Sequence, residues 1–195
     1  MRKATIERNT SETQISMTLN IDGSGKNQIE TPVGFLTHML DAFAKHGIFN
    51  LTAKITGDMH VDAHHTIEDT GIVLGEVLKA ALGDKRGIKR AGFWMYPMDE
   101  ALASVALDLS GRPFLVWDVD FSTPAIGDFP TELFEDFFLG FTNALAANVH
   151  VKVHYGRSDH HKIEAVFKAL AKSLKTACEI EPRIKNDIPS TKGKL

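Results

Sequence analysis

Several features that would assign this chain to a broad class are missing from it. Its one cysteine, Cys178, excludes an internal disulfide and favours a reducing compartment. No apolar run approaches the ~20 residues that a membrane helix requires, and the first residues contain no apolar signal core. The formal net charge is −3 without a dominant basic stripe, which argues against nucleic-acid or acidic-membrane binding. We therefore expect a cytoplasmic protein that binds neither nucleic acid nor membrane.

Sequence patterns for nucleotide binding and acyl transfer are absent as well. The chain has no Walker loop, no GxGxxG fingerprint and no GxSxG nucleophile elbow. Its hydrophobic content of 43% over 195 residues is nevertheless sufficient for a substantial core. We therefore expect a folded globular protein whose chemistry depends on other side chains.

The most specific pattern is a His-His-x-x-Glu sequence that occurs twice. The six residues are His64, His65, Glu68, His160, His161 and Glu164. Residues three or four positions apart share a helix face, so each glutamate lies one turn from both histidines of its copy. Two imidazoles and a carboxylate on one face form half of a metal site. A helix with surface histidines is the alternative, and it explains one copy better than two copies in register.

The repeat extends over most of the chain and predicts an internally duplicated fold. Four pairs of segments match in the same order: 12–23 with 100–111, 32–43 with 130–141, 50–55 with 148–153, and 64–82 with 160–178. In each half, their patterns predict two or three antiparallel strands, a helix, another strand and the helix with the histidine pair. We therefore predict an α+β fold whose halves are related by a pseudo-twofold axis. In each half, helices cover one face of an antiparallel or mixed sheet.

The repeat also predicts boundaries. The expected units are a first half at 1–88, a second half at 89–180 and a C-terminal tail at 181–195. Glycine-containing turns at 23–25 and 110–113 predict hairpins that lead into third strands at 26–30 and 113–121. The tail has no apolar periodicity, so we expect a loop that is ordered only where something holds it.

The duplication adds a fourth candidate ligand to each half. His38 and Asp136 occupy equivalent positions in the helices that follow a proline. If each of these helices faces the histidine-bearing helix of its own half, His38 groups with Glu68 and Asp136 with Glu164. Each site then borrows one histidine from the other half. Imidazole and carboxylate ligands without a thiolate favour manganese, iron or zinc.

Hydroxyl and cationic side chains indicate an anionic substrate. Ser190, Lys192 and Lys194 lie close together in the tail and could surround a phosphate, although a frayed basic terminus has the same composition. Arg90 and Arg112 could each hold a phosphate through two hydrogen bonds, and an ordinary exposed arginine is the alternative for both.

Three further charged residues are ambiguous. Lys168 lies four residues beyond Glu164, a spacing that also predicts a simple ion pair along the helix. Glu12 and Glu100 begin equivalent strands, where a carboxylate could act as an acid or base beside a metal. Solvated strand ends are the alternative for both glutamates.

Four stretches together resemble the imidazoleglycerol-phosphate dehydratase family. They are HHTIEDTGIVLGE from His64, the SGRP turn from Ser110, DHHKIEAVFKA from Asp159 and STKG from Ser190. The resemblance covers about residues 4–195 without a phosphatase domain, as in monofunctional members. It implies a lyase of L-histidine biosynthesis that converts D-erythro-imidazole-glycerol phosphate to imidazole-acetol phosphate and water.

The resemblance also implies a fold and an assembly. Family members are similar to two duplicated halves of the ribosomal-protein S5 domain-2 type. They form trimers that build a 24-subunit shell, with two manganese ions per active site and ligands from neighbouring subunits. We therefore expect a homo-oligomer with Mn²⁺ as its cofactor and a phosphate ester as its substrate.

Carried over position by position, the resemblance assigns roles to individual residues. The implied metal ligands are His38, His64, His65, Glu68, Asp136, His160, His161 and Glu164. The family has a histidine where this chain has Asp136, so one of the two sites departs from the family pattern. The implied phosphate contacts are Arg90, Arg112, Lys168, Ser190 and Lys192. Glu12 matches a family glutamate proposed for proton transfer.

The expected reaction begins with the imidazole of the substrate. Two metals that bind both ring nitrogens favour the imidazolate, which expels the neighbouring hydroxyl, and a base then removes the acidified carbon-bound proton. Glu12, Glu68 and Glu164 are all candidates for that base. Two other functions remain open at this point: a dinuclear metal phosphohydrolase, and a metal-binding shell protein without catalysis.

Overall fold

A computed structural model describes residues 2–127, 129–193 and 195. The strands are β1 (Lys3–Asn9), β2 (Thr13–Asn20), β3 (Asn27–Glu30), β4 (Asn50–Gly57), β5 (Ala91–Met98), β6 (Ala101–Asp108), β7 (Phe114–Asp118), β8 (Ala125–Ile126), β9 (Phe129–Pro130) and β10 (Asn148–Tyr155). The helices are α1 (Gly34–Gly47), α2 (His64–Leu82), α3 (Leu133–Leu145) and α4 (Asp159–Cys178), with a short 3₁₀ helix at Pro182–Ile184. The expectation of an α+β fold is confirmed.

Two four-stranded mixed sheets have the same strand arrangement. The orders are β1-β2-β4-β3 and β5-β6-β10-β7, and the last pair in each sheet is parallel. The predicted hairpins into β3 and β7 are wrong, because β4 and β10 lie between those strands and their chain neighbours. The sequence patterns also did not identify β1 and β5, which form the sheet edges opposite β3 and β7.

Local signals explain where the histidine-bearing helices begin. The carboxylate of Asp62 accepts a hydrogen bond from the backbone N–H of His64, the first residue of α2. Ser158 caps α4, because its hydroxyl accepts a hydrogen bond from the backbone N–H of His161. Both histidine pairs therefore lie in the first turn of a helix, close to the end of a strand.

The four helices lie between the two sheets and pair across the halves. α2 packs against the first sheet and α3, whereas α4 packs against the second sheet and α1. The approach of α2 to α3 is close because Gly71 and Gly75 have no side chain. A Cβ at Gly71 would collide with the carbonyl oxygen of Phe137. One continuous hydrophobic core thus includes residues of both halves.

Hydrogen bonds hold the tail against the segment that joins the two halves. The Gly87 N–H donates to the Asp187 carbonyl at 2.8 Å, and the Arg90 guanidinium donates to the Pro189 carbonyl at 2.8 Å. Apart from the 3₁₀ helix, the described part of the tail is a loop, as its sequence predicts. Lys194, one of the predicted tail cations, lies outside the described residues.

Candidate active site

His38, His160 and Glu164 form a compact cluster between α1 and α4. The Nε2 atoms of His38 and His160 each lie 3.1 Å from Oε2 of Glu164. One ligand atom from each residue lies within 4.8 Å of the other two, an arrangement able to hold a metal ion. The imidazoles are partly exposed whereas Glu164 is buried, so the cluster opens towards solvent on its histidine side.

Glu164 is charged in this environment. Burial alone raises the pKa of its carboxyl, but hydrogen bonds from Lys168 and His38 outweigh burial and hold the pKa below its usual value. The ammonium of Lys168 lies 2.7 Å from Oε1 of Glu164. A buried carboxylate that keeps its charge is suited to binding a cation.

A second cluster joins α2 to α3 and is looser. Oε2 of Glu68 lies 3.8 Å from Nε2 of His64, and Oδ2 of Asp136 lies 3.7 Å from Nδ1 of the same histidine. All three side chains are about 40% exposed, with values of 41%, 45% and 37% for His64, Glu68 and Asp136. These distances bring two carboxylates to one imidazole without direct hydrogen bonds.

The predicted grouping of the fourth ligands is wrong. His38 lies with Glu164 rather than Glu68, and Asp136 lies with His64 rather than Glu164. The physical reason is that α1 packs on α4 and α3 packs on α2, so each of these helices faces the histidine-bearing helix of the other half.

The second histidine of each pair contacts a different carboxylate. Nδ1 of His65 lies 3.0 Å from Oδ2 of Asp58, and Nδ1 of His161 lies 2.8 Å from Oε2 of Glu100. The hydrogen bond with Asp58 raises the pKa of His65. The His161 hydrogen bond and the Ser158 N–H lower the pKa of Glu100 to about 2. Sequence analysis missed Asp58, although its position at the end of β4, just before the histidine pair, was a usable signal.

Glu12 lies close to His65, and within the described part of the chain its carboxylate forms no hydrogen bond. Its Oε1 is 3.9 Å from Nε2 of His65, and the side chain is 50% exposed. The backbone is fixed on both sides: its N–H donates to the Thr10 hydroxyl at 3.1 Å, and its carbonyl accepts from the Asp58 N–H at 3.0 Å. An anchored backbone with a free carboxylate can reach a ligand beside His65.

Phe35 forms an apolar wall of the first cluster and was also missed. Its ring centroid lies 5.0 Å from that of His160 and 6.2 Å from that of His38, in edge-to-face geometry with both. Phe35 also contacts Phe129 and Phe134 edge to face. These packing contacts limit the movement of both imidazoles.

A cationic cleft of about 360 Å³ brings four of the predicted phosphate contacts together. The described residues that line it are Arg90, Ser110, Gly111, Arg112, Ser190, Thr191, Lys192 and Leu195. Arg90 also forms two hydrogen bonds of 2.7 and 2.9 Å to the carboxylate of Asp108, so it links the tail to β6. No residue of this described lining belongs to either cluster of histidines and carboxylates.

Lys168, the fifth predicted phosphate contact, is in another place. Its ammonium pairs with Glu164 and lies 5.6 Å from the centre of the Tyr96 ring. The ion pair along the helix, which its spacing allowed, is therefore present. Its role as a phosphate contact stays a prediction.

Comparison with known proteins identifies the family of the chain. The family model for imidazoleglycerol-phosphate dehydratase matches residues 31–174. The chain belongs to the imidazoleglycerol-phosphate dehydratase family. It is therefore a carbon–oxygen lyase of the hydro-lyase type. Among the described residues, no helix is both long and apolar enough to cross a membrane.

Individual family members match over the whole chain. The imidazoleglycerol-phosphate dehydratase of Geobacter metallireducens is 56% identical over 100% of this chain and 99% of its own length. The histidine biosynthesis bifunctional protein HisB of Spirosoma linguale is 53% identical, and the chain covers 50% of its length. The crystal structure of imidazoleglycerol-phosphate dehydratase from Staphylococcus aureus is 36% identical, with a TM-score of 0.83 over 92% of this chain and 99% of that chain.

Proposed function

We propose that the protein dehydrates D-erythro-imidazole-glycerol phosphate to imidazole-acetol phosphate in L-histidine biosynthesis. The observation that carries the proposal is the pair of crossed clusters, His38–His160–Glu164 and His64–Glu68–Asp136, in a member of the dehydratase family. The name of the bifunctional relative includes histidine biosynthesis, and that relative matches this chain over its whole length. The single cysteine fits a cytoplasmic location for such an enzyme.

We propose that each cluster supplies three ligands to one manganese ion. The donor set of imidazole nitrogens and carboxylate oxygens suits a borderline or hard divalent ion, and the charged state of Glu164 supports cation binding at the tighter cluster. Two such ions would favour the imidazolate form of the substrate ring. Asp136 provides a charged, shorter ligand where the family is expected to have histidine.

The remaining two ligands, His65 and His161, are proposed to serve a neighbouring subunit. Both lie on the same helices as the clusters, yet their rings are turned towards Asp58 and Glu100. Their Nε2 atoms have no close partner, with the nearest ionic contacts at 3.9 and 3.8 Å among the described residues. A site with three ligands from one chain and a fourth from another would be incomplete in an isolated subunit.

Substrate orientation is proposed to come from the cationic cleft. Arg112, Ser190 and Lys192 offer guanidinium, hydroxyl and ammonium donors for the phosphate. The cleft and the clusters share no described residue, which supports an active site assembled between subunits. A phosphate held at a fixed distance would present the reacting carbon of the glycerol chain to a base.

Among the three candidate bases, the geometry favours Glu12. The carboxylate of Glu164 already contacts His38, His160 and Lys168. Glu68 lies beside His64 and is used as a proposed ligand. Glu12 has an exposed carboxylate on a fixed backbone, so it can accept a proton from a bound substrate.

We propose that the assembly is a homo-oligomeric shell, with 24 subunits as the family resemblance implies. The side chains on the outer faces of the two sheets support a subunit contact on the second sheet. The second sheet exposes Phe93, Met95 and Phe114 to solvent. In contrast, a row of Glu7, Ser16 and Lys54 crosses the outer face of the first sheet. An exposed aromatic patch on an otherwise ordinary surface is typical of a subunit contact.

The internal duplication is also part of the proposal. The two sheets have the same strand order, and in each half one helix precedes and one follows the last strand, which supports two copies of one ribosomal-protein S5 domain-2-like unit. The pseudo-twofold axis would pass between the helix pairs. Superposition of the two halves in an experimental structure tests this point.

The proposed function is tested by assaying dehydration with and without manganese. The wild-type protein should turn over and retain about two ions per subunit, whereas Glu164→Gln should abolish turnover because the buried charge is lost. Glu76→Gln is the control, because Glu76 lies on α2 but is not a proposed ligand. Full activity of metal-free protein would contradict the proposal, and release of inorganic phosphate would indicate a phosphohydrolase instead.

A further inference from the structure

The second histidine of each pair has a carboxylate on its Nδ1 side. Oδ2 of Asp58 lies 3.0 Å from Nδ1 of His65, and Oε2 of Glu100 lies 2.8 Å from Nδ1 of His161. In both cases the Nε2 atom points to the other side, 3.8–3.9 Å from a more exposed carboxylate. The two halves therefore present the same local arrangement around this histidine.

The two halves reach this arrangement by different routes. Asp58 follows β4, and the equivalent residue after β10 is Gly156, which has no carboxylate. Glu100 lies between β5 and β6, and its equivalent is Glu12, which contacts Nε2 rather than Nδ1. Repetition of the sequence alone does not explain a carboxylate on the same ring nitrogen in both halves.

The surroundings restrict both carboxylates. The backbone of Asp58 is fixed because its carbonyl accepts from the Val61 N–H at 2.8 Å, and its side chain is only 15% exposed. The Glu100 side chain accepts hydrogen bonds from the backbone N–H groups of Arg157 and Ser158 at 3.2 and 2.7 Å. The Glu100 carboxylate cannot turn away from His161 without losing these hydrogen bonds, and the Asp58 carboxylate would have to leave a largely buried position.

We propose that Asp58 and Glu100 are positioning residues that fix the tautomer and the orientation of His65 and His161. A carboxylate that accepts the Nδ1 proton leaves the lone pair on Nε2, the form in which imidazole binds a metal. The inference rests on the proposed function, in which both histidines are ligands.

One consequence concerns Glu12. Because Asp58 accepts from Nδ1 of His65, Glu12 is not needed there, and its carboxylate has no hydrogen bond to the other described residues. Its equivalent, Glu100, is fully engaged with His161 and two backbone N–H groups. The equivalent glutamates of the two halves thus have different roles: Glu100 orients a histidine, and Glu12 remains available to the substrate.

Manganese affinity of the metal-free, assembled protein tests the proposal by calorimetry. Asp58→Ala and Glu100→Ala should each weaken binding at one site by about 10- to 100-fold, the usual effect of removing a partner of a ligating histidine. Asp58→Asn keeps an acceptor for the Nδ1 proton and should stay within about threefold of wild type. Glu100 uses one oxygen for the Arg157 and Ser158 N–H groups and the other for His161, whereas glutamine has only one acceptor oxygen. Glu100→Gln should therefore lose affinity as Glu100→Ala does. Asp84→Ala, which removes an exposed carboxylate paired with Arg86, is the control.

The variants also separate orientation from simple structural support. The unfolding midpoint and the mass of the assembly should be unchanged in Asp58→Asn. Equal loss of affinity in Asp58→Ala and Asp58→Asn would overturn the proposal, as would wild-type affinity in both alanine variants. If Asp58→Ala does not assemble, Glu100→Ala still reports the loss of the carboxylate at one site, and wild-type affinity in that variant would overturn the proposal. A wild-type protein that binds manganese without dehydrating the substrate would remove the proposed reaction and leave this inference intact.

Discussion

The Nε2 atom of His38 lies 3.1 Å from Oε2 of Glu164, although the two residues are 126 positions apart. The contact joins α1 of the first half to α4 of the second half, and Asp136 reaches His64 in the reciprocal direction. Each histidine-bearing helix thus receives its partner from the other half. Neither half contains a complete cluster by itself, so the duplicated halves depend on each other for the site.

Asp136→Ala should weaken metal retention more than it disturbs folding. Asp136 is 37% exposed, so its removal creates little cavity, but it would lose one of the three proposed ligands of the looser cluster. Metal analysis after gel filtration measures the effect, and Asp136→His should retain the metal. Glu135→Ala, one position earlier on the same helix, is the control. Unchanged metal content in Asp136→Ala would remove this residue from the ligand set.

Ending the chain after Pro189 should raise KM for the phosphate ester without lowering stability. The truncation removes Ser190 and Lys192 from the cationic cleft, and charge-assisted hydrogen bonds of this kind contribute about 1.5–3 kcal/mol each. We expect KM to rise by at least about tenfold in steady-state kinetics. Lys185→Ala removes another exposed tail lysine and should leave KM unchanged. A truncated enzyme with wild-type KM would exclude the tail from substrate binding.

Gly71→Ala should destabilise the protein because α2 and α3 pack closely at this position. The added Cβ would collide with the carbonyl oxygen of Phe137, and overpacking of this kind costs about 1–3 kcal/mol. Gly34→Ala is the matched control, since a Cβ there has no neighbour within 4 Å. Thermal unfolding at equal protein concentration compares the two variants. Equal midpoints would show that the helices can separate without cost.

Cys178 should be unreactive towards thiol reagents in the folded protein. Burial raises the pKa of its thiol to about 12, so almost no thiolate exists at pH 8. The pKa of the folded thiol is above the usual value of about 8.5, so between pH 8.5 and pH 12 only the unfolded chain ionises at this residue. The free energy of unfolding should therefore be unaffected by Cys178 below pH 8.5 and decrease as pH rises towards 12. A Ser24→Cys variant, with an exposed position, should react at once through one thiol per chain. Rapid labelling of the wild type would show that this part of the core opens readily.

The sequence predicted the helices far better than the sheets. Segment 64–82 coincides with α2, and 160–178 differs from α4 by one residue at its start. β1 was missed because only Ala4 and Ile6 give it an apolar alternation. The strand at 26–30 is present as β3, but its predicted pairing was wrong: the glycine turn before it suggested a hairpin with β2, whereas β3 pairs with β4 beyond α1.

The repeated sequence by itself determined which residue types share a helix face, because helical periodicity depends only on spacing along the chain. It therefore identified the two histidine pairs, their glutamates and the equivalent positions His38 and Asp136. The tertiary structure decided which helices meet, through the close contact at Gly71 and a core common to both halves. It also decided that Asp58 and Glu100 approach the same ring nitrogen from different loops. Such contacts between distant segments depend on packing, which no local pattern contains.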